Sequence, residues 1–500
     1  MKIQEFPEDI RSRLIPGPGG EMVYECLSCG ASHGITNLLY TCPGCGGVLL
    51  LVDRDFDRLT QTPPEMWQRI FDHRRMLNLP ALSGIYRYHE FIGPVVPLSA
   101  VVYLGEGHTP MVEAGPELQE LAGRRFLYKN DGQNPSASFK DRGMASAMSY
   151  IRHLLDSGAM DEILAVCAST GDTSASAALY ASYLSPRVKS AVLLPQGKVT
   201  PAQLSQPLGS GAAVFEIPGV FDDCMKVVEA LADRYNVALL NSKNAWRILG
   251  QESYAYEIAQ DLDWDTENLA VFVPIGNAGN ITAIMSGFMK FYRAGIIEHL
   301  PRIVGVQSHH ADPVYRYYLE PDPAKRKFAP VAVQPSAAQA AMIGNPVSMP
   351  RVIRLALDYN ELSGRNNVHV VQVTEQEIMD NMLTANRHGH IACTQGGECL
   401  AGLFAADRQG ILLPDETAIL DATAHALKFS GFQDMYFSDS FPQEFGVTPR
   451  AELVNKPQLA RPTDLARVPG PGKPLSGEEF EEFIEKTSRD IARALALSAR

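Results

Sequence analysis

The sequence lacks any long uninterrupted apolar run. Of its 500 residues, 45% are hydrophobic and 20% are charged, yet nowhere do about 18 apolar residues follow one another, as a membrane helix requires. The first twenty residues, MKIQEFPEDIRSRLIPGPGG, interleave charges, prolines and glycines and so lack the apolar core of an export signal. We therefore expect a folded, cytoplasmic protein with no membrane partner.

The chain also lacks an excess of positive charge. Its 44 Lys and Arg residues stand against 57 Asp and Glu residues, which gives a formal net charge of −13. Binding to a phosphate backbone normally needs a basic face, so nucleic acid is not expected as a partner. An anionic small molecule would need a local basic pocket. At this length, two or three domains are expected.

Cysteines are few, and half of the eight are clustered near the N-terminus. Two Cys-x-x-Cys-Gly units, twelve residues apart, contain Cys26, Cys29, Cys42 and Cys45. Four thiolates at this spacing suit one tetrahedral zinc ion and predict a zinc-ribbon-like module within residues 1–60. An all-cysteine site is closed to substrate, so the zinc would be structural. Unpaired loop thiols are the alternative. Buried thiols are predicted for the scattered Cys167, Cys224, Cys393 and Cys399.

Between residues 100 and 430, short β-branched runs alternate with longer helical patterns, which is typical of βαβ units and a parallel sheet. Three predicted strands are followed by polar turns: Glu162–Cys167, Leu269–Pro274 and Ala418–Asp421. Each turn lies at the carboxyl end of its strand, where open α/β sheets bind ligands. We therefore expect the functional residues in these turns.

The C-terminal segment is predicted to be a linker followed by an amphipathic helix. Residues 462–474 are rich in proline and glycine, and Ser476 with Glu479 forms a capping-box pattern at the start of the helix. The apolar face of this helix is expected to dock on the body of the protein or, alternatively, on another subunit.

Two segments indicate chemistry from their residue types. One turn between a predicted strand and helix offers backbone N–H groups that suit a phosphate; it consists of Gly276, Asn277, Ala278, Gly279 and Asn280. Close packing of the strand against the helix, without any ligand, is the alternative explanation for such a turn. In NPSASFKDRG, Lys140 follows a turn-forming run and opens a helix. A lysine there suits Schiff-base formation with an aldehyde cofactor, and a solvated surface lysine is the alternative.

Five motifs occur in one order along the chain: GEGHTP (105–110), NPSASFKDRG (134–143), ASTGDTSAS (168–176), GNAGN (276–280) and ATAHALK (422–428). Together they resemble the threonine synthases, within the tryptophan-synthase-β-like, fold type II pyridoxal-phosphate enzymes. The resemblance implies an α/β fold with two three-layer α/β domains. We place the smaller domain at residues 100–255, the larger at 256–460, and the linker with its helix at 461–500.

The resemblance also implies roles for individual residues. Lys140 would bind pyridoxal phosphate as a Schiff base, the turn at 276–280 would bind the cofactor phosphate, and Thr423 would face the pyridine nitrogen. Asp172 would touch the ring oxygen, where many relatives have asparagine. The substrate carboxylate would be bound by Ser169, Thr170 and Thr173.

The segment NSKNAWRILGQ (Asn241–Gln251) resembles a threonine-synthase segment, in which Asn241, Ser242 and Arg247 would hold the substrate phosphate. Arginine suits bidentate phosphate contacts, whereas a surface ion pair is the alternative for Arg247. The resemblance implies a lyase that converts O-phosphohomoserine and water to threonine and phosphate, and a possible homodimer. Two alternatives stay open: a related enzyme, either serine/threonine dehydratase or cysteate synthase, and a non-catalytic zinc-ribbon scaffold.

Overall fold

The computed structural model describes residues 1–169, 171–196, 201–219, 221–232, 234–462, 464–465, 469–473 and 475–498. The strands are β1 (Met22–Cys26), β2 (Ser32–Gly34), β3 (Leu49–Asp53), β4 (Met111–Glu113), β5 (Phe126–Lys129), β6 (Ile163–Ala168), β7 (Val188–Pro195), β8 (Ala213–Ile217), β9 (Val237–Leu239), β10 (Leu269–Pro274), β11 (Arg302–Ser308), β12 (Val368–Val373) and β13 (Thr417–Asp421).

The helices are α1 (Glu8–Leu14), α2 (Pro64–Met76), α3 (His89–Ile92), α4 (Pro116–Ala122), α5 (Lys140–Asp156), α6 (Asp172–Tyr183), α7 (Pro201–Gly209), α8 (Phe221–Ala232), α9 (Ala245–Gln251), α10 (Ser253–Asp261), α11 (Gly279–Arg293), α12 (Pro313–Tyr318), α13 (Met349–Ser363), α14 (Glu375–Arg387), α15 (Thr394–Arg408), α16 (Ser430–Ser438) and α17 (Gly477–Ala494). Among the described residues, no helix has the length and apolar character needed to cross a membrane.

The larger sheet has six strands in the order β12-β11-β10-β13-β5-β4. All neighbours run parallel except the antiparallel pair β4 and β5. Every residue of β10 is buried, as expected of a parallel strand covered on both faces. The strand order reverses between β10 and β13. The turns after these two strands therefore meet at one edge, where such sheets bind ligands.

The smaller sheet has four parallel strands in the order β8-β7-β6-β9. Strands β6 and β9 are neighbours although about seventy residues separate them in the sequence. Their following loops, which begin near Ser169 and Asn241, therefore leave the sheet side by side. This pairing brings together two motifs that are distant in the sequence.

The two sheets divide the chain differently from the predicted boundaries. Strands β4 and β5 lie in the stretch assigned to the smaller domain, but β5 pairs with β13 of the larger sheet, with Phe126 opposite Ala418. The strands of the smaller sheet are inserted between β5 and β10. Local sequence patterns could not reveal this division, because it depends on the pairing of strands almost 300 residues apart.

The N-terminal region contains a third, antiparallel sheet in the order β2-β1-β3. The chain as a whole forms two compact units, Met1–Thr448 and Pro449–Arg500. The second unit contains α17, which begins after Ser476 as predicted, but the Ser476 side chain makes no capping hydrogen bond. The predicted capping box is wrong, because Gly477 at the first helical position has a φ of 63° rather than the helical value that a capping box requires.

Candidate active site

Lys140 begins α5, and the loop before it lies against the turn after β13. The Phe139 N–H donates a hydrogen bond to the Thr423 carbonyl (2.8 Å), and the His425 N–H donates to the Ala137 carbonyl (3.1 Å). Ala137 has a φ of 62°, the left-handed conformation that favours glycine. These contacts bring together Lys140 and Thr423, two of the predicted cofactor residues.

Lys140 is half-buried, and its surroundings favour the neutral amine. Burial lowers its pKa to about 7, and the positive charge of Arg247 contributes in the same direction, whereas Asp172 and Asp421 oppose the shift. Its Nζ lies 3.9 Å from the ring centroid of Phe139. A lysine with this pKa is partly neutral near pH 7, as an amine that attacks an aldehyde must be.

The glycine turn after β10 lies at the N-terminus of the 15-residue helix α11. The first N–H groups of a helix have no partner within it and favour an anion. Ala278 has a φ of 61°. A Cβ atom at Gly276 would lie 2.9 Å from the Cα of Ala341, so this position requires glycine. Asn280 Nδ2 donates to Asp421 Oδ2 (2.7 Å), which joins the turn to the end of β13.

Two further residues of the turn contact neighbouring elements. The Asn277 carbonyl accepts a hydrogen bond from the Ser348 N–H (3.1 Å). A Cβ atom at Gly279 would lie 2.9 Å from Ile248 Cδ1 of α9. The glycine turn is thus held between α9 and the residues that precede α13.

Asp172 forms an ion pair that the sequence did not reveal. It begins α6, is 6% exposed, and its Oδ1 lies 2.8 Å from Lys428 Nζ. Lys428 also donates to the Ser136 carbonyl in the lysine loop (2.9 Å). The one available signal was the lysine that ends the ATAHALK motif. Nearby, Thr423 is 4% exposed, and its Oγ1 lies 3.6 Å from Cys393 Sγ.

The loops after β6 and β9 are joined by Asn241. Its Oδ1 accepts from the Ala168 N–H (3.2 Å), and its Nδ2 donates to the Ala168 carbonyl (2.7 Å). Ser169 Oγ accepts from the Gly171 N–H (3.2 Å), and Thr173 lies in the first turn of α6. Thr170, also predicted to bind the substrate carboxylate, lies outside the described residues.

Arg247 lies on α9 and is 2% exposed, so the alternative of a surface ion pair is wrong. Its Nη1 donates to the Leu240 carbonyl (2.9 Å), while its buried Nε has no hydrogen-bond partner among the described residues. Burial lowers its pKa to about 10. A buried guanidinium with an unused donor suits an anionic ligand, because charge-assisted hydrogen bonds to arginine are strong.

A buried ionic network that sequence analysis missed supports the lysine-bearing helix. Arg142, two residues after Lys140, pairs with Asp131 (Nη2–Oδ1, 2.7 Å) and with Glu257 of α10 (Nη1–Oε1, 2.7 Å). Its side chain and those of both partners are at most 1% exposed. Removing one partner of such a group leaves an uncompensated buried charge, so the network holds α5 against α10.

The four clustered cysteines come together beside the three-stranded sheet. Their Sγ atoms all lie within 4.8 Å of one another. The Cys26–Cys45 and Cys29–Cys42 separations are 3.5 Å and 3.8 Å, and none of these thiols is in a disulfide. Zinc bound tetrahedrally at about 2.3 Å from each sulfur requires sulfur separations of about 3.8 Å. The four sulfur atoms therefore fit a tetrahedral metal ion.

Comparison with known proteins identifies the family. The sequence model described as "Pyridoxal-phosphate dependent enzyme" matches residues 102–420. The chain is 35% identical to the threonine synthase of Methanocaldococcus jannaschii over 81% of this chain and 93% of that protein. It is 32% identical to threonine synthase 2, chloroplastic, of Arabidopsis thaliana, over 82% of this chain and 77% of that protein.

Solved structures show the same fold. The threonine synthase of Escherichia coli matches with a TM-score of 0.61 and 18% identity, covering 93% of this chain and 95% of that one. The pyridoxal-phosphate-bound threonine synthase from Brucella melitensis matches with a TM-score of 0.61 and 19% identity, covering 82% of this chain and 89% of that one. Taken with the family match and the sequence identities, these likenesses mean that the chain belongs to the pyridoxal-phosphate-dependent enzymes and, within them, to the threonine synthase family.

Proposed function

We propose that the protein is a lyase that uses pyridoxal phosphate to convert O-phosphohomoserine and water to threonine and phosphate. The observation that carries the proposal is Arg247, a buried guanidinium whose Nε has no partner in the described part of the chain and whose charge acts on Lys140. Asn241 ties the Arg247 segment to the predicted carboxylate loop. A phosphorylated amino acid carries the two anionic groups that this arrangement would bind.

The cofactor would be held by residues from four segments of the chain. Lys140 would bind its aldehyde carbon, the turn at 276–280 its phosphate, and Thr423 its pyridine nitrogen, while Asp172 would lie near the ring oxygen. The first N–H groups of α11, which begins within this turn, support the phosphate assignment. When bound, pyridoxal phosphate supplies an electron sink for negative charge at the substrate carbons.

The protein residues would bind the substrate and move protons. Ser169, Thr170 and Thr173 would bind its carboxylate, while Asn241, Ser242 and Arg247 would hold its phosphate as the bond between the γ-carbon and oxygen breaks.

The Lys140 amine would remove one proton from the α-carbon and one from the β-carbon, and would return one to the γ-carbon and one to the α-carbon. A pKa of about 7 populates both protonation states near neutral pH. Water adds to the β-carbon as a hydroxyl group and its remaining proton goes to the departing phosphate, so substrate and water together account for threonine and phosphate.

The deciding experiment supplies the cofactor-loaded protein with O-phosphohomoserine, phosphoserine and threonine in parallel, and measures phosphate, amino acids and keto acids together. Equal amounts of phosphate and threonine from O-phosphohomoserine are expected. The Arg247→Leu variant should raise the KM for this substrate by about a hundredfold, because it removes a charged phosphate contact worth about 2–3 kcal/mol.

The same assay separates the related activities. Keto acid formed from threonine would indicate a dehydratase, which needs no basic group for a substrate phosphate. Phosphate released only from phosphoserine would indicate a cysteate synthase. Either result would contradict the proposed reaction while leaving the family membership in place.

We also propose that Cys26, Cys29, Cys42 and Cys45 hold a structural zinc ion in a zinc-ribbon-like module. The sulfur separations and the all-cysteine ligand set support a closed site. Metal analysis of the purified protein should find one zinc ion per chain. A preparation that contains no metal and melts at the same temperature after zinc is added would contradict the assignment.

A further inference from the structure

The four-cysteine region packs directly on the residues proposed to bind the substrate phosphate. We call residues 22–53 the four-cysteine module, and residues 241–251, which comprise α9 and the turn before it, the phosphate segment. Three sets of hydrogen bonds connect the module to the segment or to the strand before it. The aromatic and arginine side chains that make them are largely buried, so the contacts fix orientation as well as position.

Trp246 forms the first connection. Its indole Nε1 donates a hydrogen bond to the Tyr24 hydroxyl at 3.0 Å, and both side chains are at most 1% exposed. Its ring stacks on Tyr150 of α5, with 3.8 Å between centroids and 13° between planes. The Tyr150 hydroxyl in turn donates to the Ile35 carbonyl of the module. Because Trp246 directly precedes Arg247, these contacts fix the helical turn that carries Arg247.

Arg351 of α13 forms the second connection. Its Nη2 and Nε donate to the Leu49 carbonyl of β3 at 2.7 Å and 3.1 Å. Its Nη1 donates to the Ser242 carbonyl at 3.0 Å, and its Nη2 to the Lys243 carbonyl at 3.2 Å. The side chain is fully buried, where a guanidinium is stable only if its donors are used. One side chain thus joins the module to the turn that contains Ser242.

The third connection ties the contacts to the metal site. The Tyr40 hydroxyl donates to the carbonyl of the first residue of β9 at 3.2 Å. Tyr24 and Tyr40 each lie two residues before a cysteine, Cys26 and Cys42 respectively. Leu49 pairs with Cys26 across β1 and β3. A metal ion that fixes the cysteines would therefore also fix the residues that contact the phosphate segment.

We propose that the metal-loaded four-cysteine module is a positioning element for the phosphate segment and presets Arg247 and Ser242 for the substrate phosphate. The inference rests on the proposed function, which assigns that segment to the phosphate. Among the described residues, the module shares no hydrogen bond with Lys140 or with the turn at 276–280. Loss of the metal therefore weakens phosphate binding and leaves cofactor attachment intact.

The first test removes zinc reversibly from the cofactor-loaded full chain with a chelator. Inorganic phosphate is the probe, and its Kd is measured by calorimetry. Removal should raise this Kd and the KM for O-phosphohomoserine about tenfold, the effect of losing one or two buried hydrogen bonds. The kcat should change less than about threefold, the absorbance of the lysine-bound cofactor should stay the same, and added zinc should restore both constants. An unchanged phosphate Kd in the metal-free protein overturns the proposal.

Variants test the contacts with the metal in place. Trp246→Phe keeps the stacked ring and removes the donor to Tyr24, so the phosphate Kd should rise about threefold to tenfold. Arg351→Met should raise it further. Arg354→Met is the matched control, because Arg354 lies on the same helix but is exposed and pairs with Asp358 at 3.0 Å; its Kd should stay within about twofold. Variants that lower the melting temperature without changing the phosphate Kd overturn the positioning role.

The design separates failure of this inference from failure of the proposed reaction. If no threonine forms from O-phosphohomoserine, the reaction assignment fails, yet the Kd of inorganic phosphate still measures the dependence of the segment on the module. If threonine forms but the phosphate Kd changes neither on removal of the metal nor in the Trp246 and Arg351 variants, the proposed reaction stands and the positioning role is overturned.

Discussion

At the scale of single residues, the pKa of Lys140 gives a pH prediction. Burial, followed by the charge of Arg247, lowers this pKa from its usual 10.5 to about 7. Only the neutral amine attacks an aldehyde. The rate at which pyridoxal phosphate attaches to the cofactor-free protein should therefore level off above about pH 7. Below that it should fall about tenfold per pH unit. Stopped-flow absorbance between about pH 5.5 and 9 measures the rate.

A charge-removing variant shows whether the neighbouring arginine contributes. Arg247→Gln should move the inflection to higher pH, because a positive neighbour no longer opposes protonation of Lys140. Arg247→Lys keeps the charge and serves as its control. If the attachment rate of the native protein instead had its inflection at about pH 10, Lys140 would be as solvated as a surface lysine.

The same scale shows what residue types can and cannot predict. Turn and helix signals indicated Lys140, whereas Asn241 and Arg247 were indicated by the resemblance of their segment to that of the threonine synthases. The sequence indicated no role for Lys428 or Arg351, because their partners are Asp172 and backbone carbonyls from distant segments. A contact between segments that are distant in the sequence produces no pattern in the sequence around either residue.

At the scale of elements, the packing of α5 on α9 depends on glycine. A Cβ atom at Gly250 would lie 2.3 Å from the Arg142 carbonyl oxygen and 2.6 Å from Ser146 Cβ. Gly250→Ala should therefore push α9 away from α5, lower the free energy of unfolding by about 1–3 kcal/mol, and raise the KM for O-phosphohomoserine. Thermal melts and initial rates measure both effects.

The control for this substitution is another helical glycine with free space around it. Gly431 lies in α16, and nothing lies within 4 Å of a Cβ atom built there. Gly431→Ala should stabilise the protein by up to about 1 kcal/mol, because alanine is the better helix former. If Gly250→Ala behaved like Gly431→Ala, the close packing of α5 on α9 would not position Arg247.

Elements were predictable to different degrees. The strand predicted at Leu269–Pro274 is confirmed as β10, and the strand predicted at Glu162–Cys167 lies one residue later, as β6. Both are continuous apolar runs bounded by turn residues, the pattern of buried parallel strands. The pairing of β5 with β13 had no such signal, since nothing near either strand specifies a partner so distant in the sequence.

At the scale of the whole molecule, the chain divides after Thr448, and every residue assigned here to cofactor, substrate or metal precedes that point. The sequence placed the boundary at residue 461, just before the stretch that is rich in proline and glycine. The homodimer and the cytoplasmic location stay predictions. Docking of α17 on the body of the protein, with a contact to another subunit as the alternative, likewise stays a prediction.

A shortened chain that ends at Thr448 tests this division. Because the first unit contains all three sheets and their cores, it should bind pyridoxal phosphate and melt within a few degrees of the full chain. In the second unit, Phe480, Ile484 and Ile491 of α17 are each more than 40% exposed. Sedimentation of both chains would show whether this apolar face joins subunits: a full-length dimer and a shortened monomer would assign the contact to the second unit. A shortened chain that cannot hold the cofactor would mean that residues after Thr448 are needed for the site.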